Sequence, residues 1–267
     1  MQDDYTIVLG QRKNINSIML FIKKYWKEHK DHILAKNLKI FKHIYYINKN
    51  LNFIIALDKK KNIIGIMGYI LYSNFTKNKD QKKDIAWANL LYALPKYQGL
   101  GLNIYKYFTL KFKKKNFGLI NYNLKGKKLY KLFNYKCIHM NQFYFINPNI
   151  KKFHIAKIKS KNDAKYNIKV EKYLSINSKN SDLLKNINYY YKNKNYIISK
   201  YLNNPYYRYN ILLLKNKIND CALVYRKFYA KKKTAIRIID YIGKNKDFIK
   251  FIPIIKKILS DSKSEYL

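Results

Sequence analysis

The sequence predicts an α/β protein, and three observations predict it. Short apolar runs of strand length alternate with stretches carrying apolar residues at helical spacing. Two adjacent apolar runs, "NFIIALD" and "NIIGIMGYILYS", are separated only by a charged "KKK" turn, as in a hairpin. The order strand, helical region, strand, strand, strand, helix occurs before Pro148, and part of it, helical region, three strands and helix, recurs after it.

The elements follow in chain order. "YTIVLG" reads as a first strand. "INSIMLFIKKYWKEHKDHILAKNLKIFKHIYY" reads as two helices broken near His32, and the hairpin comes next. "DIAWANLLYAL" is a further strand, "GLNIYKYFTLKFKKK" a helix, and "FGLINYN" a strand. "KGKKLYKLFNY" is a short helix, and "IHMNQFYFIN" a closing strand. Pro148 and the polar "NPNIKK" mark a boundary, giving units 1–148 and 149–267. In the second, "SDLLKNINYYYKNKNYIISKYL" is helical. "NILLLKN", "DCALVYRKFY" and "TAIRIIDYIG" are strands, and "KDFIKFIPIIKKILS" is a helix with Pro253 near its first turn.

Composition narrows the function. With 267 residues, 48% of them hydrophobic, the chain can bury a substantial core, and it is not a disordered composition. The 56 Lys+Arg exceed the 15 Asp+Glu by 41. Such a field attracts polyanions, whether nucleic acid or a phosphorylated ligand. The lysines are nevertheless scattered and form no long basic tail, and biased composition toward Lys, Asn, Ile and Tyr explains them better than a dedicated nucleic-acid surface does. A basic nucleic-acid-binding protein stays open as the alternative class, but it is not favoured. Cys137 and Cys221, far apart, give neither a disulfide framework nor metal-ligand spacing, so no metal is expected. "MQDDYTIVLG" lacks a signal-peptide core, and the longest apolar stretch, "IIGIMGYILY", is too short to span a bilayer. A cytoplasmic location is the expectation.

The chain holds only 8 glycines, and two of them, Gly99 and Gly101, stand between a strand and a helix in "LLYALPKYQGLGLNIYKYF". A tight turn is one reading. An anion cradle is the other, because the first N–H groups of a helix lack intrahelical partners and lie at its positive end. Neither G-x-x-x-x-G-K-[ST] nor G-x-G-x-x-G fits, since Ile104 stands where a third glycine belongs.

"PKYQGLGLN" resembles the acyl-CoA loop of the GCN5-related N-acetyltransferase (GNAT) superfamily, Q/R-x-x-G-x-G/A. Gln98 opens it, and Asn103 replaces the last Gly/Ala. About twenty residues on, "NLKGKKLYKLFNY" resembles that family's N-x-x-A-x-x-L-Y motif through Asn123, Gly126, Leu129 and Tyr130, with Asn134 and Tyr135 in place of Gly-Phe.

The resemblance covers residues 5–147. It implies a GNAT-like mixed, mostly antiparallel sheet flanked by helices, with a second, incomplete GNAT-like unit behind it. It also implies an acyl-CoA co-substrate and a small amine acceptor. The strand end at Leu91, Tyr92 and Ala93 would receive the pantetheine arm. Backbone N–H groups of Gln98, Gly99, Leu100, Gly101, Leu102 and Asn103 would hold the pyrophosphate, and Asn123 would contact the pantetheine amides. Tyr130 would protonate the departing thiolate. For the base, His32 is the first candidate and Asp84 the second, Glu28, His29 and Asp31 being neighbours of His32 in the same helical region.

A fainter resemblance links "WKEHKDHILAKN", "DIAWANLLYAL" and "YLNNPYYRY" with "IRIIDYIG" to two-part acyltransferase-like proteins of bacterial surface-polysaccharide synthesis, which suggests an amino sugar as acceptor. The second unit has no Q-x-x-G-x-G after "IIDYIG" and is expected to bind no CoA. Asp240 there reads as either a cleft residue or a structural strand end. A degenerate family member without catalysis remains a third reading.

Overall fold

The computed structural model describes residues 5–26, 32–76, 85–113, 116–119, 127, 130–131, 135–138, 144–155, 172–189 and 192–267. The chain divides into two compact units. One comprises Met1–Cys137 with Asn204–Tyr206, the other Ile138–Asn203 with Tyr207–Leu267. The division thus lies some ten residues before the Pro148 boundary read from sequence.

The first unit is built on a five-stranded sheet of β1 (Tyr5–Leu9), β4 (Phe53–Asp58), β5 (Ile63–Leu71), β6 (Ile85–Ala93) and β7 (Asn116–Leu119), in the order β1-β4-β5-β6-β7. Every pairing is antiparallel except β6 with β7, which is parallel. β1 lies at the edge and alternates between half-buried and exposed residues, as its mixed sequence dictates. β4 as far as Leu57 and β5 along its whole length are apolar, and each is buried along most of its length. Their turn is fixed by Asp58, whose carboxylate accepts from the Asn62 N–H (2.8 Å) and Nδ2 (3.1 Å).

Three helices precede β4: α1 (Ile15–Tyr25), α2 (Ile33–Lys36) and α3 (Leu38–Tyr45). α1 buries Ile15, Ile18, Phe21 and Ile22, a stripe at helical spacing. The sequence predicted two helices here, and the second is divided at Asn37. That residue is extended (φ −123°, ψ 101°), and its Oδ1 caps α3 by accepting from the Ile40 N–H. A two-residue hairpin, β2 (Tyr46–Ile47) with β3 (Asn50–Leu51), leads into β4. α4 (Leu100–Lys111) buries Leu100, Ile104, Tyr105 and Phe108. It lies close on β5: a Cβ at Gly65 would come within 2.7 Å of Ile104 Cδ1. After β7, Lys127, Tyr130 and Lys131 are helical, as predicted for the short helix.

The predicted closing strand is not found among the described residues. Residues 139–143 lie outside them, and Ile146 makes an isolated bridge to Tyr266 instead. The buried Asn147 holds this segment to the C-terminal region, donating through Nδ2 to the carbonyls of Leu259 and Ser264.

The second unit has an antiparallel sheet of β8 (Tyr173–Ile176), β11 (Asn210–Leu214), β12 (Cys221–Ala230) and β13 (Lys233–Ile242), in the order β13-β12-β11-β8. Between β8 and β11 the predicted helical stretch is broken. A 3₁₀ segment at Ser181–Asn186 is followed by the hairpin of β9 (Asn188–Tyr189) and β10 (Lys192–Asn193). Only then comes α5 (Lys194–Ile197), which runs on into a π-helical turn at Ile198–Leu202. A 3₁₀ segment at Asn245–Phe251 leads into α6 (Ile252–Asp261), with Pro253 in its first turn. α6 covers one sheet face through Phe251, Ile254, Ile255 and Leu259, against Leu212, Leu223, Tyr225 and Ile236. Strand, helical region, three strands and helix therefore recur in the order that the first unit sets. Among the described residues no helix is long and apolar enough to cross a membrane.

Candidate functional site

The glycine pair lies where β6 hands over to α4. Pro95 and Lys96 form a turn in which Tyr97 N–H donates to Leu94 C=O (3.0 Å) and Leu100 N–H to Tyr97 C=O (3.2 Å). Gly99 is the residue ahead of α4 and has φ 77° and ψ −13°, the left-handed region that glycine enters without penalty. A Cβ there would meet nothing within 4 Å, so backbone conformation and not crowding requires this glycine.

Gly101 is different. Its φ is not positive, and a Cβ would only reach ordinary contact with Ala93 Cβ at 3.9 Å. Neither the turn nor the packing demands a glycine at 101. What its bareness does is leave the mouth of a 12-residue helix uncovered. At that mouth Asn103 N–H donates to Gly99 C=O (3.0 Å), while the Gly101 and Leu102 N–H groups have no acceptor among the described residues. Unpaired donors at the positive end of a helix are the kind of group that can face an anion. Gln98 and Gly99 are exposed, Gly101 and Leu102 half-buried, and Leu100 is a core residue holding the turn down.

The Asn103 side chain is tied to β1, with Nδ2 donating to Tyr5 Oη at 2.6 Å. Lys96, which sequence reasoning passed over, sits in the same turn with Nζ 4.9 Å from the centre of the Tyr97 ring. The position of Lys96 inside "PKYQGLG" was the available signal.

β6 carries a second feature that the sequence did not announce. Its register against β5 shifts: Gly68 faces Asn89 and Ile66 faces Tyr92, leaving Leu90 and Leu91 opposite Met67 alone. Leu90 takes φ 49° to make this bulge. Asn89 Oδ1 accepts from Tyr45 Oη (3.0 Å), and Gly68 leaves the space, since a Cβ there would fall 2.7 Å from that oxygen. Burial, only partly offset by this hydrogen bond, pushes the Tyr45 hydroxyl well above its ordinary pKa. Past the bulge, Leu91 and Ala93 pack with the cluster under α4. Tyr92 points to the α1 side, its ring 6.0 Å from Phe21, 6.3 Å from Tyr25 and 5.9 Å from Trp26. Toward β7, pairing is present from Ile85–Asn116 to Ala88–Leu119. The strand continuation at 120–126 that would border Asn89–Ala93 lies outside the described residues.

Tyr130 is 9% exposed and belongs to the same cluster as Leu91 and Ala93. Its ring lies 5.2 Å from Tyr105 and 6.2 Å from Tyr135. Burial above all, then Tyr135 and Cys137, raises its pKa and keeps the phenol neutral. His32 caps α2, its Nδ1 accepting from the Leu34 N–H at 3.3 Å, which requires that nitrogen to be unprotonated. Its ring is 6.0 Å from Trp26, so it joins the aromatic group around Tyr92. The structure thus gathers Leu91, Ala93, Leu100 and Tyr130 on one side of β6, and Tyr92, Trp26 and His32 on the other. Asp84, Asn123, Glu28, His29 and Asp31 lie outside the described residues.

The corresponding turn of the second unit is filled. A Cβ at Gly243 would strike Tyr241 Oη and Cys221 Cβ, and Tyr241 Oη donates to Lys244 C=O (2.7 Å). Among the described residues no three His, Cys, Asp or Glu side chains converge on a metal position.

No family model and no curated protein matches the chain. Among solved structures it is similar to a "possible acetyltransferase" from Clostridium difficile 630, at 13% identity and a TM-score of 0.39, over 56% of this chain and 99% of that one. Arabidopsis thaliana Naa50 in complex with the bisubstrate analogue CoA-Ac-MVNAL is 16% identical with a TM-score of 0.38, over 55% and 90%. The aminoglycoside N-acetyltransferase AAC(6')-Iy in complex with CoA is 14% identical with a TM-score of 0.38, over 53% and 93%. Strand order, the parallel β6–β7 pair and the glycine turn ahead of α4 give the first unit the GNAT-like mixed α/β fold that its motifs resemble.

Proposed function

We propose that the protein is an acyl-CoA-dependent N-acyltransferase whose first unit binds the acyl-CoA. The second is an incomplete GNAT-like unit without a CoA site. The observation that carries this reading is the helix mouth: two unpaired N–H groups beside Gly101, a position that neither backbone conformation nor packing reserves for glycine. The residues present fit a diphosphate there. Gly101 and Leu102 would supply amide donors, Lys96 a cation, and Gln98 and Asn103 the rim.

Acyl transfer needs no covalent enzyme intermediate. The acceptor nitrogen forms a bond to the thioester carbonyl carbon, the carbon–sulfur bond breaks, and the thiolate takes a proton. Backbone N–H near Ala93 would face the developing oxyanion. Tyr130, kept neutral by burial, would supply the proton. Burial raises Tyr130 above the ordinary phenol value of about 10, so transfer to a thiolate whose acid lies at about 8.5 is uphill unless the site assists it. His32, which would have to release its Nδ1 from the Leu34 N–H to do so, or Asp84, would take the acceptor's proton, and Asn123 would contact the pantetheine arm. The acceptor class suggested by the fainter resemblance is a nucleotide-linked amino sugar of surface-polysaccharide synthesis, acetylated in the cytoplasm.

A thiol-release assay with acetyl-CoA over a panel of nucleotide-linked amino sugars, free amino sugars and amino acids tests this. The reading expects turnover with at least one primary amine and its loss in Gly101→Asp. Acetyl-CoA binding without turnover on any amine would leave only the CoA-binding half of the proposal standing.

A further inference from the structure

The second unit carries a polar face that acyl transfer in the first unit does not use. β12 and β13 send Leu223, Tyr225, Ile236, Ile238 and Tyr241 into the apolar cluster under α6. Alternation therefore turns Arg226, Arg237 and Asp240 to the opposite face, the one that α5 and the π-helical turn cover. An extra residue in β13, Ile239, sits opposite the Val224–Tyr225 step and ends its bulge at Asp240.

Asp240 is fully engaged. Its Oδ1 accepts from Lys192 Nζ (2.5 Å), and its Oδ2 accepts from Tyr201 Oη (2.6 Å) and Tyr196 Oη (3.1 Å). Lys200 Nζ donates to Tyr196 Oη (2.6 Å) and lies over the Tyr196 and Tyr201 rings. Burial, against the pull of Asp240, brings Lys200 down to about 8, which loosens its hold on the proton.

The tyrosine wall runs on from Tyr201 to Tyr209 (5.1 Å) and to Tyr207 (6.1 Å), and it ends under Arg226, whose Cζ is 4.1 Å from the Tyr207 ring centre. Arg226 and Arg237 stand directly opposite one another on paired strands, an arrangement of like charges that destabilises a sheet. No carboxylate pairs with either among the described residues. Arg226 Nε is buried and has no hydrogen-bond partner there.

A guanidinium against an aromatic ring, with a buried unsatisfied N–H, and a second arginine opposite it on the paired strand whose Cζ lies 5.3 Å from the Phe228 ring, together form a donor set for an oxyanion. We propose that this face of the second unit, centred on Arg226 with Arg237, binds a phosphate-bearing small molecule. The anion would satisfy Arg226 Nε and neutralise the opposed arginines. Tyr207 and Tyr209, both half-buried, flank that position and can take a ring attached to the phosphate.

Calorimetric titration of inorganic pyrophosphate into the Gly101→Asp chain tests this apart from the first unit's helix mouth. Binding is expected to persist in that chain and to weaken by about tenfold or more when Arg226→Gln is added. Arg226→Lys should not restore it, because an ammonium lacks the planar fork. Arg237→Gln, at an exposed position, gives the same readout if Arg226→Gln does not fold. A uridine diphosphate arm that binds more tightly than pyrophosphate marks a nucleotide as the source of the phosphate, and equal affinity marks the free anion. No pyrophosphate binding in Gly101→Asp, or binding indifferent to both arginine substitutions, overturns the proposal.

Discussion

At Gly99 the backbone adopts φ 77°, where a side chain costs about 1–2 kcal/mol, so Gly99→Ala should lower stability by that amount. Gly101→Ala should leave stability nearly unchanged, because the added Cβ finds only Ala93 at 3.9 Å. Chemical denaturation of the two variants separates the structural glycine from the functional one. At Tyr130 burial holds the proton on the phenol. Its folded pKa lies above the unfolded value, so the phenol stays protonated and neutral throughout the neutral and mildly alkaline range. Tyr130→Phe is therefore expected to reduce kcat by about 10²-fold while leaving acetyl-CoA affinity unchanged. An equal loss of affinity would make Tyr130 a packing residue only. The Gly-x-Gly pair was legible because two rare residues interrupt an apolar run. The partner of Asn103 was not, since Tyr5 lies 98 positions away and nothing local points to it.

Among the elements, β4, β5 and α4 could be read from the chain because each carries an unbroken physical signal. Two apolar runs flank a charged turn, and a glycine step precedes a stripe of Leu100, Ile104 and Phe108. The bulge in β6 could not, because one extra residue inside "NLLYAL" leaves its hydrophobic pattern intact. β8, four residues long, is too short for alternation to show. The bulge rests on Asn89, Tyr45 and Gly68. Gly68→Ala would push a Cβ to 2.7 Å from Asn89 Oδ1, an overpacking expected to cost about 1–3 kcal/mol. Hydrogen exchange should locate the loosening in β6 and α3, and protection unchanged there would remove the bulge from the account.

Across the whole molecule, aromatic mass and positive charge set the behaviour. Burial raises the pKa of Tyr45, Tyr105, Tyr130, Tyr201 and Tyr241, and it takes Tyr69 to about 12. Each folded value lies above the unfolded one, so their contribution to stability is complete below about pH 10 and declines as pH rises beyond it. Absorbance of tyrosinate should show the exposed phenols titrating first and these six appearing only together with unfolding. The excess of 41 positive charges gives any phosphorylated ligand a long-range attraction that salt weakens. Electrostatic attraction alone would therefore not distinguish a coenzyme from a polyanion, but the helix mouth would. Calorimetric titration of acetyl-CoA into the wild-type chain, Gly101→Ala and Gly101→Asp is the most direct test. The account predicts saturable one-site binding to the wild type, weaker binding to Gly101→Ala and none to Gly101→Asp. Binding indifferent to both substitutions, or no binding to the wild type at millimolar acetyl-CoA, would contradict it.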